Sequence, residues 1–337
     1  MGAAVTFAVG DVSGKEPRTS TLRQVFQYAF GLSDQETTFI RRGFHTGNPR
    51  VRDRLEDVGR TFIKGYNQAL ETSDVDMLAQ RLERTNADLR GFAFEGAATA
   101  LALLDHLVPW HGGRLRRFIN GPATSHIYMT HVGVGWAIAR VPWLRRNVDK
   151  CLAQLDPLLG WLAIDGYGFQ SGFFHATNSI GAKTYPNGLS KYARRVFDQG
   201  LGRSLWFVEG ADVSRIPLTI ASFHNTRRAD LWSGIGLASA YAGGADGPAL
   251  ECLREAAKGY VTHMAQGAAF AAKARERAGN QAEHTETACR ILCGLSSEAA
   301  ASVTDQELEI LPTGGEEPAY EIWRKKIQAR FVTEDSV

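Results

Sequence analysis

The stretch Leu231–Gly279, LWSGIGLASAYAGGADGPALECLREAAKGYVTHMAQGAAFAAKARERAG, reads as a helical hairpin followed by the opening helix of the next. A first helix runs to Ala242, and Gly243–Gly247 make the turn. Pro248 suits the first position of a second helix, where a missing N–H is harmless. That second helix carries Leu250, Leu253, Ala257 and Tyr260 at helical spacing. Gly234 is followed four residues later by Ala238, and Gly267 by Ala271. Small residues four apart lie on one helix face and let a neighbouring backbone come close.

The same pairing recurs outward along the chain, at Gly65 and Ala69, Gly96 and Ala100, Gly133 and Ala137, Gly172 and Ala176, and Gly200 and Ser204. Successive glycines are 31, 37, 39, 28, 34 and 33 residues apart. A period in the thirties marks stacked helical hairpins. Helix-stop signals keep the same offset: Gly181, Gly210 and Gly243 follow their glycines by 9 or 10 residues, and Pro142 follows Gly133 by 9. The expected fold is all-α, an array of about seven α-hairpins of about 34 residues resembling a tetratricopeptide (TPR-like) α-solenoid in period, though not in consensus residues. A mixed fold remains the alternative, because Ile127–Trp136 and Arg203–Val208 have the β-branched and aromatic content of strands.

Residues 1–36 read as an amino-terminal extension, with Ser13–Thr21 loop-like and Leu22–Leu32 a short amphipathic helix. The repeats fill 37–310. Residues 311–337 hold a Gly/Pro loop, a terminal helix over Tyr320–Phe331 and a frayed tail.

Of the 337 residues 44% are hydrophobic and 22% charged, with a formal net charge of +2, which suits a globular protein with a substantial core and disfavours nucleic-acid binding. Arginine clusters at 114–117, 145–146 and 194–195 read as solvated helix faces. Cys151, Cys252, Cys289 and Cys293 are too few and scattered for a disulfide framework. Cys289 and Cys293, one helical turn apart, could begin a metal site but lack a CxxC or HxxxH partner and read as buried thiols, so no metal and a reducing, cytoplasmic setting are expected. Met1–Gly10 lacks the basic leader of a signal peptide. Gly91–Trp110 is the most apolar stretch, but Glu95, Asp105 and His106 within it argue for a buried helix rather than a membrane span.

Positions just before the repeat glycines are polar in apolar surroundings: Glu95, His131, Gln170, Ser171, Asp198, Gln199, Ser233 and Gln266, with Trp232 beside them. They read either as the hydrogen-bonding wall of a groove or as groups bridging neighbouring helices. Acid–base candidates are Glu95, His131, Asp165, His175 and Asp198. Apolar neighbours raise the pKa of a buried Glu95, as a general acid requires. Asp165 also reads as a helix N-cap, and Asp230 as a local partner of Arg227 and Arg228. Candidate binding residues are Phe94, Trp136, Phe169, Gln170, Gln199, Arg203, Trp206, Trp232 and Gln266. No phosphate loop, complete dinucleotide fingerprint (Gly133-Val134-Gly135 lacks the third glycine) or nucleophile elbow is present, so no cofactor is expected.

Eight ordered segments resemble the enediyne biosynthesis protein family, a bacterial family of unassigned biochemical function. They are Phe39–Phe44 (FIRRGF), Leu89–Ala98 (LRGFAFEGAA), Gly133–Arg140 (GVGWAIAR), Trp161–Phe169 (WLAIDGYGF), Asp198–Trp206 (DQGLGRSLW), Arg227–Leu237 (RRADLWSGIGL), Phe270–Arg275 (FAAKAR) and Pro318–Arg324 (PAYEIWR). The resemblance implies an accessory role in turning a linear polyene into an enediyne core, or in a related pathway. It also implies partners similar to a membrane electron-transport subunit and an exported repeat protein. It supplies no catalytic residue. Three functions follow as expectations: a holder of a polyene-like apolar molecule, a cofactor-independent isomerase or cyclase, and a scaffold for protein assembly.

Overall fold

The computed structural model describes residues 27–28, 30–107, 112–309, 311 and 315–332. Among these residues the regular structure is entirely helical, which overturns the mixed-fold alternative. Both strand-like segments lie within helices. Most of the amino-terminal extension, including the loop-like Ser13–Thr21 and the start of Leu22–Leu32, falls outside the described residues.

Eight helices follow one another as a file: α1 (Pro49–Glu71), α2 (Arg90–Leu107), α3 (Ile127–Arg140), α4 (Leu162–Phe174), α5 (Lys191–Val208), α6 (Asn225–Ala242), α7 (Val261–Ala278) and α8 (Ser297–Leu308). Each packs against the next, and shorter helices such as Val75–Leu82, Arg114–Asn120, Gly247–Ala256 and Glu283–Leu292 connect them. A ninth, α9 (Ala319–Arg330), lies against α7 and α8. Boundaries follow local chemistry. Side chains of Asn48, Ser190, Asp246 and Ser296 accept hydrogen bonds from first-turn N–H groups, and left-handed Gly279 ends α7.

Glycine sets how closely the file is stacked. A Cβ on Gly96 would fall within 3.0 Å of the Phe62 carbonyl of the preceding helix. The same holds for Gly133 against Glu95, Gly166 against Val132, Gly200 against Asp165, Gly234 against Gln199 and Gly267 against Ser233. A second set faces the following helix: Gly65 meets Ala93, Gly135 meets Ala163, Gly168 meets Phe197, Gly202 meets Leu231 and Gly236 meets Met264. Residues two apart on an α-helix point about 200° apart. Each Gly-x-Gly (Gly133–Gly135, Gly166–Gly168, Gly200–Gly202, Gly234–Gly236) therefore notches both sides of its helix at once. This corrects the sequence register in α4, where Gly166 rather than Gly172 is the equivalent glycine. Gly172 instead faces the Ser204 side chain, and α4 ends at Phe174, well before Gly181.

The file turns back on itself. Arg54 Nε of α1 donates to the Ala242 carbonyl of α6 at 3.0 Å, and Arg275 Nη2 of α7 donates to the Asp88 carbonyl before α2 at 3.0 Å. The innermost helices are consequently enclosed nearly all round: every residue of α2 from Gly91 to Leu104 is buried. That burial explains an apolar stretch without a membrane, and no described helix is long and apolar enough to cross one.

Gly200→Ala should destabilise the protein by about 1–3 kcal/mol through overpacking against the Asp165 carbonyl. Gly247→Ala, whose Cβ would meet only the Ile291 side chain at 3.7 Å, should leave the midpoint of urea unfolding nearly unchanged.

Candidate functional site

The side of each helix midway between its two notches faces inward. It carries the residues one before, three after and seven after the first glycine. In α4 to α6 these are Asp165, Phe169 and Phe173, then Gln199, Arg203 and Phe207, then Ser233, Leu237 and Tyr241. These stripes converge on a cavity of about 40 Å³ bounded by Phe62, Phe92, Glu95, Trp136, Phe169, Phe173, Phe207 and Tyr241, with Leu32, Thr37 and Phe174 at its outer side. A second cavity of about 30 Å³ lies beyond Arg203, Leu237 and Tyr241, which border both, and reaches Met129, Phe270 and Trp323. Each space holds little more than a water molecule or two, so a larger guest must displace side chains. Leu32, Gly59, Phe174 and Leu237 are the half-buried residues of the first wall.

Glu95 is the one carboxyl on the wall of the first cavity. Its Oε1 accepts a hydrogen bond from Trp136 Nε1 at 3.1 Å, and the indole stacks on Phe62 with centroids 4.2 Å apart. Burial pushes the Glu95 carboxyl up to about 7, against the opposing pull of Arg203, so both protonation states are populated at neutral pH. Arg203 donates to Asp165 Oδ1, and its guanidinium lies 5.0 Å from the Phe169 ring centroid. Among the described residues Tyr241 Oη is buried without a hydrogen-bond partner.

Behind this wall runs a chain of polar contacts across five helices, α4 to α7 and α9. Gln199 Nε2 donates to Asp165 Oδ2 at 2.8 Å, Ser233 Oγ donates to Gln266 Oε1 at 3.0 Å, and Arg324 Nε reaches the same oxygen at 3.3 Å. Arg324 also donates to Asp230 Oδ1 at 2.7 Å, and Arg195 Nε donates to Asp230 Oδ2 at 3.0 Å. Asp230 is therefore held by α5 and α9 rather than by its sequence neighbours. Asp165 lies inside α4 and serves as a partner of Arg203 and Gln199, not as an N-cap.

The structure separates the sequence candidates into groups. Glu95, Trp136, Phe169 and Arg203 meet at the cavity, while Asp165, Gln199 and Gln266 form the polar chain behind it. Asp198 accepts from Arg227 and from Tyr185 Oη, away from the cavity wall. Phe94 faces the opposite side, stacked 4.0 Å from His126. Trp206 Nε1 donates to the Gly243 carbonyl at 2.9 Å, and Trp232 is buried outside the cavity lining. His131 lines a separate crevice, its Nδ1 2.8 Å from the Ile127 carbonyl, and His175 and Gln170 border another. Neither histidine shares the cavity with Glu95. The sequence reading omitted Phe207 and Tyr241, both seven residues past a notch glycine; the repeated Gly-x-Gly was the signal that locates them.

Cys289 Sγ and Cys293 Sγ each face a carbonyl of α7, and no metal-binding cluster occurs among the described residues.

Native Glu95 keeps its proton to about 7, whereas the unfolded chain releases it near 4.5. Between those values folding takes up a proton, so native stability falls as pH rises. Glu95→Gln should abolish this component: its melting temperature relative to native protein should rise progressively from about pH 4.5 to about pH 8. A constant difference across that range would contradict the assignment.

No curated protein and no solved structure matches the chain. One family model does, over residues 21–331. The chain belongs to the family described as "Protein of unknown function (DUF1702)".

Proposed function

We propose that this protein holds a long, unsaturated, apolar small molecule in its interior, as an accessory component of enediyne-type natural-product biosynthesis. The observation that carries the binding reading is the composition of the interior wall. Eight aromatic rings (Phe62, Phe92, Trp136, Phe169, Phe173, Phe174, Phe207 and Tyr241) surround a space whose polar groups are few. Flat conjugated chains gain dispersion and stacking energy against such rings, and a binding site is commonly apolar with a small number of placed polar groups. The two small cavities meet at Arg203, Leu237 and Tyr241, so opening that junction gives an elongated space rather than a round one. The biosynthetic setting rests on the sequence resemblance alone, as do the membrane electron-transport-like and repeat-protein partners and the cytoplasmic setting.

In the same reading the file of notched helices is a tightly curved array of about seven TPR-like hairpins, closed around its guest instead of presenting an open groove. A second reading, cofactor-independent isomerisation or cyclisation, is favoured by one specific observation. Glu95 stands in the cavity with a pKa near neutrality, able to give or take a proton at an alkene carbon. The paired base expected from His131 or His175 does not share that cavity.

Titration with a synthetic conjugated hydrocarbon should quench tryptophan fluorescence at micromolar concentration. Ala238→Leu, which fills the cavity wall, should weaken that quenching about tenfold or more while preserving helical circular dichroism. Absence of quenching in the native protein would contradict the proposal.

A further inference from the structure

Beside the aromatic cavity lies a crevice of about 530 Å³ with a different character. Arg42, Arg140, Arg145, His175 and Gln170 line it, and Glu36 is its one carboxylate. Glu36 is already engaged: Arg42 Nη2 lies 2.6 Å from Oε2 and Arg41 Nη2 lies 3.2 Å from Oε1. Among the described residues neither Arg140 nor Arg145 has an acidic partner; Arg140 rests its guanidinium over the Tyr66 ring, 5.7 Å from the centroid. Arg42 Nε is buried and without a hydrogen-bond partner. Gln170 is buried, and no described group hydrogen-bonds its side-chain amide. The crevice thus concentrates hydrogen-bond donors and positive charge around an opening whose carboxylate, Glu36, is already taken up by Arg41 and Arg42.

Its position gives this charge a use. Leu32, Phe62, Trp136 and Phe174 border both the crevice and the aromatic cavity. Two of them, Leu32 and Phe174, are half-buried, so the partition between a basic mouth and an apolar interior consists partly of side chains that reach the surface, with Arg42 lying over the Phe174 ring at 5.0 Å from its centroid. An adjacent basic mouth and aromatic interior match a molecule with one anionic end and a long apolar body.

We propose that the ligand is an amphipathic acid: its carboxylate pairs with Arg140 and Arg145 in the crevice, and its conjugated chain passes Phe174 into the cavity. The inference rests on the polyene reading above and adds the polarity, the entrance and the orientation of the guest. Arginine suits this role because its planar donors match a carboxylate in a fixed geometry.

The test uses the full-length protein and two fluorescent probes, cis-parinaric acid, a conjugated tetraene acid, and its methyl ester. The native protein should bind the acid about tenfold more tightly than the ester, and added salt should weaken only the acid. The double variant Arg140→Gln/Arg145→Gln should bind acid and ester alike, with the ester affinity unchanged from native and helical circular dichroism preserved. Equal affinity of the native protein for both probes, or a preference that survives in the double variant, overturns the assignment of the carboxylate to the crevice and leaves the interior site standing. Failure of both probes to bind overturns the polyene reading and this inference with it.

Discussion

Everything in this molecule depends on helix backbones approaching one another where no side chain intervenes. At Gly96, Gly133, Gly166, Gly200, Gly234 and Gly267 the carbonyl of the preceding helix occupies space that a Cβ would need. Glycine in a helix interior costs about 1 kcal/mol relative to alanine, so two per helix are retained only where close packing returns more. In α3 to α6 Gly-x-Gly supplies that packing on both sides, and it therefore fixes which face of those four helices is left to look inward. The interior wall is a geometric consequence of the notches.

Close stacking also dictates the fate of the polar residues beside the glycines. Asp165, Gln199, Ser233 and Gln266 are carried to the interior face, where an unpaired group is costly. The helices bring each a partner: Arg203 for Asp165, and Arg324 for Gln266. The carboxy-terminal helix α9 is thus an integral part of the core, since Arg324 and Glu321 complete the ionic cluster around Asp230 and Arg195. Glu95 differs from these carboxylates. It has an indole N–H rather than a guanidinium as its hydrogen-bond partner, and it faces the cavity, so desolvation dominates its titration. That contrast between paired and solitary carboxylates separates structural charge from chemically available charge.

The helical class and the period were legible in the sequence because glycine spacing is local. The turn within Leu231–Gly279 was read nearly to the residue: α6 ends at Ala242, and the following helix begins at Gly247 with Pro248 in its first turn. That helix stops at Ala256, however, so Ala257 and Tyr260 lie beyond it, Tyr260 as the residue that opens α7. Register in α4 was not legible, because Gly166, Gly168 and Gly172 all lie within seven residues and only the packed structure shows which one meets a carbonyl. Glu95 was identified from its apolar neighbours, a signal that survives folding. The role of Asp165 was hidden, since Arg203 lies 38 residues away and no local pattern announces the pair. Asp230 misled for the converse reason: adjacent arginines offered a local explanation, while its true partners come from α5 and α9. His131 and His175 looked equivalent to Glu95 as chemistry-bearing residues, yet they face different crevices: His131 occupies another angular position on its helix, and His175 is the non-helical residue that caps the end of α4.

The central claim is that glycine notches draw the helices tightly enough to seal a dry interior around Glu95. Infrared difference titration, native protein minus Glu95→Gln, reads that carboxyl directly. The account predicts a protonated C=O stretch at the high frequency of a weakly hydrogen-bonded acid, disappearing with a midpoint of about 7. A carboxylate already complete at about pH 5, with the frequency of a solvated glutamate, would show an interior open to water and contradict the account.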